Sequence, residues 1–357
     1  MAQKYNTLIM GASYGSLLAV KLNLAGHSVR LVCLPEEANL FNKDGAIIRM
    51  PIKGRDELVQ INSKNLEGEL SAGGTSDADP SKYDLVVLAM QEPQYSSPGV
   101  RELLDVIGQS GKPCMSIMNM PPLPYLARIP GLDVSKLKYC YTDPNVWDSV
   151  DPKNITLCSP DPQAFRPPEE PLNVLQVSLP TNFKAARFEC DMATSMLRDI
   201  EADIEAVRYR ADFGETALPV KLKVHESVFV PLAKWAMLLT GNYRCVQQEK
   251  MRSISESVHS NIEKSRHVYD FVKKVCEAIG ADGTDLVPFE KYANAAIGLA
   301  KPSSAARALL AGAKNIERAD CLVRTIAGTK GMQLNTVDTT VSLVDSWLDR
   351  NRSKTTG

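Results

Sequence analysis

The stretch "LIMGASYGSLLAVKLNLAGHSVRLVCLPEE", Leu8 to Glu37, reads as a strand, a glycine-containing turn, a helix and a second strand. Asn6 to Met10 is a short apolar run preceded by a polar flank, which suits a buried parallel strand. Tyr14 to Ala25 carries Leu17, Leu18, Val20, Leu22 and Leu24 at helical spacing, and Gly26 stands where a C-cap glycine belongs. Ser28 to Leu34 is the second strand. A turn in this position holds a dinucleotide when it bends tightly, lets backbone approach the pyrophosphate and lets the helix pack closely on the strand. The usual pattern is G-x-G-x-x-G; here the hexamer is Gly11, Ala12, Ser13, Tyr14, Gly15, Ser16. Gly11 makes the bend. Ser13 replaces the glycine that approaches phosphate, Gly15 is displaced by one place, and Ser16 fills the third glycine's position. Backbone N–H groups and serine hydroxyls at a helix N-terminus suit an anion, so Gly11, Ser13, Tyr14, Gly15 and Ser16 are the candidate cofactor contacts. The alternative is a Rossmann-shaped domain with an altered or empty site.

The end of the second strand selects the cofactor. An acidic residue there binds the ribose hydroxyls, and an arginine suits a 2′-phosphate. Leu34-Pro35-Glu36-Glu37 offers no basic residue at the turn, which leans towards NAD over NADP, with Glu36 or Glu37 on the ribose. Either glutamate also fits as the solvated first turn of the next helix, where acidic residues are favoured.

Working outward, "DLVVLAM" (84–90) and "CMSIMNM" (114–120) are two further strands, with a helix in "SPGVRELLDVIGQSG" between them. Strands alternating with helices give a parallel sheet covered on both faces. The proline-rich segment 120–172 reads as loops or a proline-broken insertion. "NVLQVSLP" reads as a strand, and residues 189–209 as a helix followed by a strand. After Glu215 only helices are expected, over 217–241, 255–279, 303–330 and 335–350, with "RNRSKTTG" as a frayed tail. The expected fold class is α/β, a Rossmann-type doubly wound parallel sheet followed by an all-α domain, divided as 1–215 and 216–357.

Composition narrows the function classes. Of 357 residues, 44% are hydrophobic and 23% charged, ordinary for a globular protein, and the net charge of −1 with no basic run argues against nucleic acid or an anionic membrane as partner. The eight cysteines are scattered without a C-x-x-C pair, which argues against a zinc site or disulfide framework and for reduced thiols. No apolar run approaches the roughly 20 residues that span a bilayer, and the N-terminus reads straight into a strand. A cytoplasmic protein is expected. There is no G-x-S-x-G elbow, P-loop lysine or H-E-x-x-H.

"GHSVRLVCLPEEANLFNKDGAIIRM" resembles the second-strand region of the ketopantoate reductases, whose C-terminal helical domain is of the 6-phosphogluconate dehydrogenase type. "YDLVVLAMQEPQ" resembles that family's third-strand segment, with Gln91 where a lysine near the cofactor is usual. "SIMNM" keeps Asn119 beside the nicotinamide, with Met120 in place of a glycine. "PLAKWAMLLTGN" matches Lys234 and Asn242 of a lysine–asparagine–asparagine pattern, with Leu238 at the middle position. "KPSSAARALLAGAKNIERADCLVRTIAG" supplies Ser303 or Ser304 and Glu317. The resemblance implies a divergent NAD(P)-dependent reductase acting in a cleft between its two domains. It would transfer hydride to a small 2-oxo-acid-like carbonyl, and a homodimer is the candidate assembly. The losses at Leu238 and Met120 point away from ketopantoate itself, towards another carbonyl or imine.

Each implied role has a plainer counterpart. Lys234 lies in an apolar helix, where a cation is either a desolvated acid with lowered pKa, suited to protonating an alkoxide, or one that carries its charge out to water. Asn242, eight residues on, shares its face and could bind substrate, or it is a cap after Gly241. Glu317 could charge-balance Lys234 or lie on a helix surface. Ser303 and Ser304 could bind a substrate carboxylate or cap the helix after Pro302. His225, nine residues before Lys234 on the same predicted helix, is the alternative acid if the protein is an opine-type or imine-reducing dehydrogenase. A non-catalytic dinucleotide-sensing protein is the reading from a different class.

Overall fold

A computed structural model describes residues 3–354 of the chain. The fold begins with β1 (Asn6–Met10), α1 (Tyr14–Leu24), β2 (Ser28–Val32) and α2 (Pro35–Asp44), at the places the opening stretch dictates. Leu17, Leu18, Val20 and Leu22 of α1 are fully buried, each worth about 1.5–3 kcal/mol. The N-cap side chain of α1, Ser13, makes no capping hydrogen bond, so packing rather than capping holds this helix. There follow β3 (Ile47–Met50), β4 (Val59–Asn62), β5 (Leu70–Gly73), β6 (Leu85–Leu88), α3 (Val100–Ser110), β7 (Cys114–Ile117) and α4 (Leu123–Leu126). The next elements are β8 (Ile155–Ser159), β9 (Gln163–Phe165), β10 (Val174–Leu179), β11 (Phe183–Ala186), α5 (Asp191–Ala206), β12 (Tyr209–Ala211), β13 (Gly214–Thr216) and β14 (Leu222–His225).

The main sheet has eight strands in the order β14-β11-β8-β7-β6-β1-β2-β5. It is parallel except where β11 meets β8. From β1 the chain winds one way to β2 and β5 and the other way to β6, β7 and β8, so the topological switch lies between β1 and β6. A second sheet, β4-β3-β10-β9, takes up the strand expected in "NVLQVSLP".

Two expectations are corrected. The proline-rich segment is not all loop, because Ile155–Ser159 is a fully buried strand of the main sheet and Gln163–Phe165 pairs with β10. The chain after Glu215 is not all helix either. Val220, Leu222 and Val224 alternate with Lys221, Lys223 and His225, a period of two that makes β14 the parallel neighbour of β11. No helix spans 217–241.

The chain forms two compact units. The first runs to Met90 and takes in Gln94–Arg128 and Asn145–Val228; the second comprises Gln91–Pro93, Ile129–Pro144 and the chain from Phe229 onward. The second unit holds α6 (Lys234–Met237), α7 (Ile254–His259), α8 (Ile262–Ala278), α9 (Phe289–Ala296), α10 (Ser304–Leu310), α11 (Ala319–Thr329) and α12 (Asn335–Ser353). The long helices expected over 255–279 and 303–330 are each two helices. At the first break Asn261 accepts a hydrogen bond from the Lys264 N–H and starts α8 afresh. The expected frayed tail is helical through Ser353, because Asn351 is buried and donates to the carbonyls of Leu309 and Ala313. Residues 355–357 lie outside the described residues. Among the described residues no helix is long and apolar enough to cross a membrane.

Candidate functional site

The C-terminal ends of β2, β1, β6 and β7 lie side by side, and the candidate cofactor residues of the first unit follow them. Gly11 has φ +98°, a conformation that side chains rarely adopt. A Cβ there would lie 2.6 Å from Met90 Cγ and 2.7 Å from the Ala89 carbonyl oxygen, at the switch between β1 and β6. Gly15 is buried, and a Cβ on it would come within 2.8 Å of Ile9 Cγ2. Gly15 therefore allows the close helix–strand contact that the sequence pattern assigned to the position of Ser16. Ser16 instead donates its hydroxyl to the Ser13 carbonyl at 2.8 Å. Ser13 is exposed at the head of α1, and Tyr14 donates its hydroxyl to the Pro162 carbonyl at 3.0 Å. Asn119 follows β7, half-buried.

At the end of β2 the two glutamates separate. Glu36 is exposed in the first turn of α2. Glu37 is buried, accepts from the Leu34 N–H at 3.2 Å and pairs with Arg166. Arg166 comes from the end of β9, within the proline-rich segment, so the turn has a basic residue that local sequence does not show. Arg30 also acts on this strand end. Burial and Glu37 push the Cys33 thiol up to about 12, and Arg166 and Arg30 oppose them.

The second unit gathers other candidates. The helix bearing Lys234 is not a uniform α-helix, since α6 passes into a π-turn over Leu238–Asn242. Eight α-helical residues overshoot two turns by about 80°. A π segment turns less per residue, so the register of Asn242 against Lys234 differs from that of a uniform α-helix. Gly241 makes the turn possible, because a Cβ there would stand 2.0 Å from the Tyr292 hydroxyl oxygen. That hydroxyl donates to the Met237 carbonyl at 3.1 Å. Lys234 itself is half-buried.

Ser303 is buried and donates to the Asn242 carbonyl at 2.7 Å, while its oxygen caps α10 by accepting from the Ala306 N–H. Ser304 is exposed. Glu317 is buried, and its carbonyl accepts from the Tyr243 hydroxyl, which in turn accepts from the Ala319 N–H. Asn242, Ser303 and Glu317 are thus tied together through adjacent backbone. His225 ends β14 in the first unit and is not on the Lys234 helix, which corrects the shared helix expected from sequence.

Glu92 is the residue that sequence reasoning missed. It is 1% exposed, and its two carboxylate oxygens accept from the Thr142 N–H and hydroxyl, both at 2.9 Å. Burial, helped by the charge of Glu317, raises its pKa to about 7 against the pull of the Thr142 hydrogen bonds. Its neighbour Gln91, the position matched to the family lysine, is exposed.

No protein-family model matches the chain, and no curated protein matches it in sequence. Solved structures do. The chain is 12% identical to 2-dehydropantoate 2-reductase from Methylococcus capsulatus, with 97% of each chain covered and a TM-score of 0.66. The fold is that of the ketopantoate reductases. A D-mandelate dehydrogenase solved with NADH and anilino(oxo)acetate is 13% identical over 97% of this chain and 99% of that one, with a TM-score of 0.63. A dimeric ketopantoate reductase from Staphylococcus aureus is 9% identical over 97% and 99%, with a TM-score of 0.59.

Proposed function

We propose that the protein binds a nicotinamide dinucleotide at the Gly11 turn and catalyses hydride transfer to a small 2-oxo-acid-like carbonyl. The observation that carries this reading is the turn itself. Gly11, with no side chain to strike Met90 and Ala89, lets the turn after β1 press against the end of β6 at the switch point of a parallel sheet, directly before the N-terminus of an 11-residue helix. The residues fit the group. Backbone N–H groups of the first turn of α1, with exposed Ser13, would hold the pyrophosphate, and Asn119 would orient the nicotinamide. When bound, the dinucleotide supplies the hydride. Lys234 is the proposed proton donor to the substrate oxygen, and Asn242 with Ser303 and Ser304 binds the substrate's polar end. Glu317 and Glu92 form a buried acid pair in the same unit, and Glu92 exchanges its proton near neutral pH.

The finer reading of the cofactor is NADP(H). Glu37 already has the Leu34 N–H and Arg166 as partners, and two guanidinium groups act on the end of β2. This reading differs from the lean towards NAD drawn from the local sequence. All eight cysteines are free thiols, which supports a reducing, cytoplasmic setting. The dimeric Staphylococcus aureus protein of the same fold supports a homodimer.

The test is loss of reduced-nicotinamide absorbance with a panel of 2-oxo acids, each with and without a primary amine. Turnover by wild type is expected. Lys234→Ala should lower kcat about 10²–10⁴-fold while leaving the dinucleotide Kd unchanged. Turnover only with amine present would assign an opine-type or imine-reducing reaction. Dinucleotide binding with no turnover in any arm would overturn the enzymatic reading and leave a sensing protein.

A further inference from the structure

The eight cysteines look unpaired along the sequence, yet two of them meet in the second unit. Cys140 closes a 3-10 turn, Val134–Cys140, and Cys321 lies in the first turn of α11. Their sulfur atoms are 3.5 Å apart, with the Cys140 thiol donating to Cys321. Both line a cavity of about 330 Å³ together with Tyr139, Arg318 and Arg324. The Arg324 guanidinium donates to the Cys321 sulfur at 3.7 Å. Arg318 is anchored beside them by Asp320 and Asp345. The segment carrying Cys140 is held against α11 by the Tyr139–Thr325 hydrogen bond and by the contact of Cys140 with the Thr325 hydroxyl at 3.5 Å.

We propose that Cys140 and Cys321 are a peroxide-sensitive dithiol, with Cys321 as the attacking sulfur and Cys140 as the resolving one. The chemistry closes without a metal or cofactor. The Cys321 thiolate attacks one peroxide oxygen; the S–O bond forms, the O–O bond breaks, and the departing hydroxide takes up a proton as water. The Cys140 sulfur then attacks the sulfenic sulfur. The S–S bond forms, the S–OH bond breaks, and the second hydroxide leaves as water with the Cys140 proton. Two thiols are oxidised by two electrons, and one peroxide is reduced to two waters.

Three observations support the proposal. Both residues, though buried, line a cavity with room for a molecule the size of peroxide. The hydrogen bond from Cys140 and the charges of Arg318 and Arg324 hold the Cys321 thiol down against burial, while the hydrogen bond to Cys321 and burial push the Cys140 thiol up. The thiolate is the nucleophile, so the thiol held lower attacks and the thiol held higher resolves. Closing the pair needs the sulfurs to approach only from 3.5 Å to about 2.05 Å.

The link would join two segments that carry site residues. Thr142, which holds Glu92, is two residues beyond Cys140, and Glu317 is four residues before Cys321. Oxidation would therefore fix the spacing of the Glu92–Glu317 pair. The modification itself does not depend on the proposed hydride transfer.

The experiment is treatment of the full chain with near-stoichiometric hydrogen peroxide, followed by non-reducing digestion and mass spectrometry. A Cys140–Cys321 linked peptide is expected. It should form ahead of any adduct at the half-exposed Cys190 and be reversed by dithiothreitol. Cys140→Ser should leave a sulfenic acid on Cys321 that dimedone traps, and Cys321→Ser should leave Cys140 unlabelled. Oxidation at other cysteines without this link in the folded wild type would overturn the proposal. So would a dimedone adduct on Cys140 rather than Cys321.

Discussion

Substituting Glu92 with glutamine removes a carboxyl held where water does not reach it. Glu92 is 1% exposed, and its pKa is raised from 4.5 to about 7, chiefly by burial. At about 1.4 kcal/mol per tenfold change in proton affinity, that shift corresponds to roughly 3 kcal/mol. The folded state binds this proton more tightly than the unfolded chain does. The penalty is therefore absent below about pH 4.5, grows between about 4.5 and 7, and is complete above 7, so wild-type stability falls as pH rises through that window. Glutamine keeps the shape and does not titrate. Its oxygen accepts from the Thr142 N–H, and its amide can donate to the Thr142 hydroxyl, which rotates to accept. Urea unfolding of wild type and Glu92→Gln at about pH 5 and about pH 8 gives a double difference in which other titrating groups cancel. Glu92→Gln should gain roughly 2–3 kcal/mol on wild type between the two conditions. Glu317→Gln should shrink that gain, because the Glu317 charge supplies part of the lift. A stability difference that stays flat with pH would refute the buried, proton-holding carboxyl.

Other outcomes follow from the same geometry. Gly241→Ala puts a methyl group on the Tyr292 hydroxyl and should cost about 1–3 kcal/mol in chemical denaturation. The cost should be smaller in a Tyr292→Phe background, where the clashing oxygen is gone; equal costs in both backgrounds would remove Tyr292 from the account of the π-turn. Arg166→Ala should weaken NADPH binding about tenfold or more and leave NADH binding nearly unchanged, measured by fluorescence titration. An equal loss for both cofactors would count against the NADP(H) reading.

What the sequence discloses here depends on how local the cause is. The β1–α1–β2 unit is legible because one apolar period of helix lies between two apolar strands, and each turn is marked by glycine. β14 carries its own signal, a strict alternation in "VKLKVH", but the apolar run that follows invites one long helix across both. β8 is buried on both faces between prolines, so it has no alternation to show. The role of Gly15 is hidden by a one-place shift in the glycine pattern; only the closeness of Ile9 reveals that Gly15, not residue 16, needs to lack a side chain. Lys234 and Asn242 are visible by spacing, while the π-turn between them is not, and the Tyr292 hydroxyl that donates beside it, to the Met237 carbonyl, lies fifty-five residues on. Glu92 sits in the polar run "QEPQ", which reads as surface, yet it is buried and its carboxylate is held by Thr142, fifty residues on. Cys140 and Cys321 are 181 residues apart, and no spacing rule connects them.

If the Gly11 turn holds a dinucleotide pyrophosphate, a negative charge at Ser13 must weaken binding, and Ser13→Asp supplies one. Ser13 is exposed and makes no capping bond, so aspartate there should leave the fold intact and interact favourably with the helix N-terminus by about 0.3–1 kcal/mol. Against a bound pyrophosphate the same charge is repulsive. Two unit charges about 4 Å apart at a protein surface interact by about 4 kcal/mol, and solvent screening reduces this to roughly 1–3 kcal/mol. Calorimetric titration of wild type and Ser13→Asp with NADPH and NADH should show micromolar binding to wild type. It should weaken by about 10- to 100-fold in the variant, with a melting temperature equal to or above that of wild type. Undiminished binding to a folded variant, or no binding of either cofactor to wild type, would contradict the account.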